Sequence, residues 1–481
     1  MHQLFTWLLI AVVTGSAWPL ATLAIDYTAA QQTALGEAPK IEPDITDLAM
    51  QIWGFAEIAL TEKKSAQLLS SFLETEGFSV ERGVAGIPTA FVAEFGSGKP
   101  VIGVLAEFDA LPELGNLPVP RQTPRADGYP HGHGCGHNVF GAGSTGTAVL
   151  IKRAIEKHGL EGTVRLYGTP AEETLVGKVY MARAGLFDDL DMALDWHPSL
   201  RNKVRNQRGQ AMNNFKVEFF GKSAHGAYDP WNGRSAMDAL EMFNFGINLM
   251  REHIEPTARI HYAVEAGGEV PNVVPNYARG WYYVRDNDRA KVEAHFAWLR
   301  DIAKGAALAT QTEHKVDLIT GVHETLLNRP LQEAVQSYFE AVGSPEYSLE
   351  DQAFARDLQR NLGREETGIT TEIKPLEAEP QPTRGGSTDV AEVSRITPTV
   401  SIAVATAAEK IPWHSWAVTA THGRPSAAKG AHIAMRVLAL TGLAAIEDEK
   451  LLAKAKRFHA EATGGTPYQS PIPADRALPK P

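Results

Sequence analysis

The single cysteine of the chain stands in HGHGCGHN, residues 131–138, one glycine away from His137. Gly136 lets the backbone bend enough for the thiol of Cys135 and the imidazole of His137 to meet one ion. A thiolate beside imidazole and carboxylate suits a borderline divalent metal such as zinc, and imidazole with carboxylate also suits manganese. A lone cysteine is more often a small buried hydrophobe, but an apolar-poor loop of Gly and His is a poor place to bury one. His131 and His133 shape the loop or touch a substrate in this reading, and ligation by either stays open. Glu172 and Glu173 follow Pro170. Neighbouring side chains at a strand end project in different directions, so one carboxylate can hold metal while the other takes a proton from water. The plain alternative is an acidic pair set against a helix N-terminus.

The elements that must position these groups are four short apolar runs: VIGVLA (101–106), TVRLYG (163–168), MALDW (192–196) and TVSIAVA (399–405). Such runs suit strands buried on both faces of a doubly wound sheet. Glu107 and Asp109 follow the first, Glu172 and Glu173 the second, His197 the third and His414 the fourth. Open α/β sheets build their sites beyond the carboxyl ends of strands. One such residue would be unremarkable; four in register with four strands point to a site. Helical patterns fall near 43–58, 65–76, 139–158, 176–185 and 426–442.

From about Asn213 to Val322 the pattern changes to strand–helix–strand–strand–helix–strand, the split βαβ order of a small two-layer domain. The expected fold class is α/β, a doubly wound mixed sheet with an inserted ferredoxin-like α+β domain serving as lid or dimerisation unit. The boundaries expected are a signal peptide over 1–24, catalytic halves at 25–210 and 323–445, the insertion at 211–322, and a C-terminal extension over 446–481. The apolar run LFTWLLIAVV at 4–13 resembles a secretory h-region and is short for a bilayer span. A cleaved leader implies a periplasmic or secreted enzyme. The Gly- and Pro-rich end, GGTPYQSPIPADRALPKP, is expected to be flexible and unpacked. With 46 Lys and Arg against 57 Asp and Glu the net charge is −11, which argues against nucleic acid as a partner. One cysteine excludes an intrachain disulfide.

GVAGIPTAFVAEFGSGKPVIGVLAEFDALPELG, then GHGCGHN, TPAEE, DWHP, GKSAHGA, PNVVP, STDV and WHSW occur in that order between about residues 40 and 445. This series resembles the amidohydrolase branch of the aminoacylase- and carboxypeptidase-type dinuclear metallopeptidases. The resemblance implies two divalent ions, Zn or Mn, held by Cys135, His137, Glu173, His197 and His414, with Glu172 as general base. His422 and His432 compete for the late histidine, but only His414 lies in the segment matching the family. His225 and Asn272 match positions that bind substrate and steady an oxyanion, His225 across a dimer interface. Asn138 and Glu107 depart from the commoner pattern of the branch; the aminobenzoyl-glutamate group shares the Asn. Arg279 and Arg384 are candidates for a substrate carboxylate, which a guanidinium grips with two prongs. Either can equally be a surface charge. Gly386, with Gly385 and Ser387, offers backbone donors.

The implied reaction is hydrolysis of the amide in N-acyl or N-aroyl amino acids, of the aminobenzoyl-glutamate kind. The partners expected are a small-molecule substrate and a second protomer, as a homodimer or a heteromer with a homologous chain, with no nucleic acid and no membrane once a leader is removed. Two rivals stand beside it. A cysteine-nucleophile hydrolase would use Cys135 with His137, although residues two apart on a tight loop seldom reach the required geometry. A non-catalytic or regulatory partner in a heteromeric amidohydrolase is the other, and retention of the five ligands with Glu172 weighs against it.

Overall fold

The computed structural model describes residues 25–383 and 385–480. The leader read in residues 1–24 and the candidate Arg384 lie outside the described residues.

Among the described residues, eleven strands form two sheets. The larger contains β1 (Ser79–Arg82), β2 (Phe91–Ser97), β3 (Val101–Ala106), β4 (Gly162–Gly168), β5 (Met192–Ser199) and β6 (Lys203–Val204), and, after the insertion, β11 (Thr399–Ala405). Their order is β1-β2-β4-β3-β5-β11-β6. The pairs β4–β3, β3–β5 and β5–β11 are parallel, and the strands beyond them run antiparallel. The four parallel strands are the four apolar runs. They are apolar on both faces because both faces are covered: every residue of β3 is buried. Helices Ala29–Phe55, His137–His158 and Ala428–Glu447 cover one side. Helices Gly177–Arg183 and Val390–Ile396 cover the other.

The first helix starts at Ala29, well before the 43 expected from the apolar pattern, and carries Pro39 and Pro43 inside it. A capping box between Thr28 and Gln31 starts it, and its buried face, from Ala30 through Ile52, rewards continuing past the prolines.

The smaller sheet has β7 (Ala211–Phe220), β8 (Arg259–Ala266), β9 (Tyr277–Asp286) and β10 (Glu313–Val322) in the antiparallel order β10-β7-β9-β8. Helices Ala236–Arg251 and Arg289–Thr310 pack on one face. Strict alternation of burial along β9 shows a sheet with one packed face.

The C-terminal end differs from expectation. After helix Glu449–Thr463 it has no regular structure, as Gly and Pro dictate, yet it is packed. Ile472 is buried, Tyr468 donates its hydroxyl to Glu392 (2.6 Å), and Arg476 forks onto Asp317 of β10 (2.6 and 3.1 Å). The tail is a strap that joins the inserted sheet to the large domain. Composition foretold the lack of helix and strand but not these three anchors.

Candidate metal centre

The loop before helix His137–His158 delivers Cys135 and His137 to the carboxyl ends of β3 and β4. Gly136 has φ 85°, and a Cβ there would press on the His422 ring at 2.6 Å, so only glycine fits the bend. His137 Nδ1 lies 2.8 Å from Asp109 Oδ1, which fixes the ring with Nε2 turned inward. Asp109 Oδ2 accepts the Glu173 amide at 2.9 Å, so one buried carboxylate aligns two of the five ligands. His197, on β5, places Nδ1 2.6 Å from the Pro198 carbonyl, a contact that requires the proton on Nδ1 and leaves Nε2 free. Burial, then the charge of Arg205, holds its pKa well below the ordinary range, so the ring is neutral as a ligand must be. His414 sits in a left-handed turn (φ 53°), its amide bonded to the Gly134 carbonyl at 3.1 Å.

These groups converge. Ligand atoms of Cys135, His137 and His197 lie within 4.8 Å of one another, as do those of Cys135, Glu173 and His414. Cys135 belongs to both triads. Cys135 Sγ is 3.5 Å from His197 Nε2, and His414 Nε2 is 3.5 Å from Glu173 Oε2. Bonds of about 2.0–2.3 Å to a tetrahedral ion separate its ligands by roughly 3.3–3.8 Å, so the spacing fits ions in both triads. Glu173 Oε1 is buried with no hydrogen-bond partner, which a cation would supply, while His137 Nε2 and Glu107 Oε2 face each other at 3.2 Å. The chemistry of the donors agrees: burial, then the Glu173 charge, pushes the Cys135 thiol up to about 12, so the sulfur becomes a thiolate only with a cation beside it. The same shift opposes a free nucleophilic cysteine. The Trp413 indole donates to the sulfur at 3.2 Å.

Glu172 sits beside this cluster, 4.0 Å from His137 Nε2. Burial, followed by the charges of Glu107 and Asp389, raises its pKa well above the carboxylate range. Beneath it lies a buried triad that sequence reasoning missed: Lys178 Nζ is 2.7 Å from Glu107 Oε1 and 2.6 Å from Asp389 Oδ1. Burial opposes the Lys178 charge, but Asp389 and Glu107 outweigh it and raise its pKa. A lone lysine in the apolar stretch VGKVYMA was the available signal.

The remaining candidates are placed differently. His133 is buried with Nε2 3.1 Å from the Ile52 carbonyl, and His131 stacks edge-on against Tyr129. His422 bonds Thr406 (2.9 Å) and His432 bonds Thr46 (3.0 Å); both are structural. His225 and Asn272 share one exposed tip of the inserted domain, where the Gly226 amide donates to the Asn272 carbonyl at 2.7 Å. Among the described contacts neither meets the Cys135 cluster. Arg279 places its Nε 2.7 Å from Glu265, which also holds Lys216, so that edge of the guanidinium faces a carboxylate of the inserted sheet. Gly386 uses its carbonyl to accept the Gln210 amide at 2.8 Å. Arg285 was overlooked. It stacks on Tyr283, reaches Ser387 Oγ at 3.3 Å, and has no acid partner among the described residues.

A family model described as the peptidase dimerisation domain matches residues 208–311. The chain is 37% identical to a p-aminobenzoyl-glutamate hydrolase subunit of Escherichia coli, over 89% of this chain and 94% of that protein. The chain belongs to the M20 metallopeptidase family. It is a metal-dependent hydrolase of amide bonds. The Xaa-Arg dipeptidase of Mus musculus is 29% identical over 65% of the chain and 71% of its own length. Among solved structures, a dinuclear metal-binding M20 peptidase from Bacillus subtilis matches with TM-score 0.54 and 19% identity, over 83% of this chain and 99% of that one. The aminobenzoyl-glutamate utilization protein from Klebsiella pneumoniae matches with TM-score 0.56 and 16% identity, over 84% and 98%. Both share the fold of this M20 chain.

Proposed function

We propose that this M20 enzyme hydrolyses N-acyl and N-aroyl amino acids, conjugates of the aminobenzoyl-glutamate kind. The observation that carries the reading is the pair of donor triads joined at Cys135, with Glu172 beside them. Cys135, His137 and His197 would hold one zinc or manganese ion, and Cys135, Glu173 and His414 the other. When bound, such ions polarise a carbonyl and acidify water. Glu172 takes the proton of the attacking water and delivers it to the leaving amide nitrogen. Arg285, a guanidinium on the inserted sheet with no acid partner among the described residues, is suited to the substrate carboxylate beside Arg279.

The inserted domain exposes Met242, Phe245 and Leu249 on helix Ala236–Arg251, and Tyr262 and Val264 on the edge strand β8. This patch supports pairing of two copies, which would bring His225 and Asn272 to a partner's site as oxyanion donors. With a cleaved leader, the enzyme would act outside the cytoplasm. Purified chain reconstituted with zinc or manganese should release free amino acid from a panel of N-acyl and N-aroyl amino acids and stop with chelator. Because the E. coli relative is named as one subunit of a hydrolase, failure of the chain alone, restored by a homologous second chain, would favour the partner reading.

A further inference from the structure

Outside the ligand set, Glu62 is a buried carboxylate with no part in the chemistry above. Glu62, completely buried at the start of helix Lys63–Thr75, reaches the loop that carries Glu172 and Glu173. Its Oε1 accepts the Ala171 amide at 2.9 Å, and its Oε2 pairs with Thr89 Oγ1 at 3.0 Å. Ala171 has φ 58° and Leu175 has φ 56°, left-handed conformations that cost a side-chain-bearing residue about 1 kcal/mol or more. Such a turn persists only where its surroundings over-determine it. Glu172 therefore lies between two amides, each held by a different buried carboxylate: that of Ala171 by Glu62 and that of Glu173 by Asp109.

We infer that Glu62 is a positioning residue that clamps the Ala171 amide and so fixes Glu172 over the reacting water. The clamp is a hydrogen bond, not a charge. Glutamine at this position would present the same carbonyl to Ala171 and an amide donor to the Thr89 hydroxyl, whereas methionine would fill the volume and offer neither. The proposal rests on the functional reading above for Glu172, and its geometry stands independently of the substrate.

The test compares Glu62→Met with Glu62→Gln in the full-length, metal-reconstituted enzyme. Glu62→Met should lower kcat about 10²-fold, the scale of a small misplacement of a reacting group, with KM within about threefold. It should keep wild-type metal content, and Glu62→Gln should restore kcat to within about fivefold. Hydrogen exchange of the 169–177 segment gives a readout independent of turnover: Glu62→Met should speed it by about tenfold or more, and Glu62→Gln should leave it protected. Unchanged exchange in Glu62→Met, or a Gln variant as impaired as Met, overturns the clamp. If Glu62→Met gives no soluble protein, Thr89→Val reads the same contact, with a kcat loss of about tenfold expected and none overturning it. Should the wild-type chain hydrolyse no N-acyl amino acid, the functional reading fails, while the exchange result still decides the clamp.

Discussion

Lys178 Nζ lies 2.6 Å from Asp389 Oδ1 in a fully buried pair that ties the helix before the inserted domain to the segment after it. Glu107 completes the group at 2.7 Å and stands 3.2 Å from His137 Nε2, so the metal centre rests on this floor. Removing the lysine leaves two buried carboxylates uncompensated. Lys178→Met is expected to destabilise the fold by about 3–5 kcal/mol, measured by urea denaturation; a loss under about 1 kcal/mol would show that the floor is dispensable.

Glu172→Gln should keep the wild-type metal content and lose turnover by about 10³-fold or more, since base catalysis of this kind contributes about 10²–10⁴-fold. Metal content by elemental analysis and kcat on the same sample separate the two effects. Near-normal turnover would remove Glu172 from the base role. His225→Ala should cost about 10²–10³ in kcat if it supplies an oxyanion contact, again with metal retained.

His422 gives a pH signature. Burial, then the charge of His137, lowers its pKa to about 3 from the ordinary 6.5. The folded value lies below the unfolded one, so its contribution is complete above pH 6.5 and is lost as pH falls toward 3. Metal-free wild-type protein should therefore lose stability relative to His422→Gln by about 1.4 kcal/mol per pH unit below 6.5, with no change in the difference above it. A difference independent of pH between 6.5 and 5 would mean the ring is already charged in the fold.

The C-terminal strap should matter despite its lack of helix or strand. Deleting everything after Gly465 removes the Tyr468, Ile472 and Arg476 anchors. Burial of an Ile side chain contributes about 1.5–3 kcal/mol, and a part-exposed ion pair up to about 1 kcal/mol. A loss of about 3 kcal/mol, with faster amide exchange in β10, is expected. Unaltered denaturation and exchange would reduce the strap to decoration.

Much of the fold and the site is legible in the residues themselves. The four parallel strands announce themselves because burial on both faces leaves no polar position in VIGVLA and only Thr399 and Ser401 in TVSIAVA, and the ligands sit past their ends. Cys135 is legible through its glycine neighbours. The neighbour of Arg279 is not legible, because strand alternation tells which face a residue takes, not what waits there; Glu265, in the irregular pairing between Val264 and Ala266, stands beside it. Glu62 and Lys178 are illegible for a related reason. Their partners come from residues 89, 171, 107 and 389, and no local spacing encodes contacts at that distance. The tail hides its order in three isolated side chains among prolines.

The shared sulfur is the central claim, and anomalous scattering from crystals grown with zinc or manganese tests it most directly. Two ions about 3.5–4 Å apart are expected, both bonded to Cys135 Sγ, one also to His137 and His197 and the other to Glu173 and His414. A single ion, or two ions with Cys135 bound to neither, would contradict it.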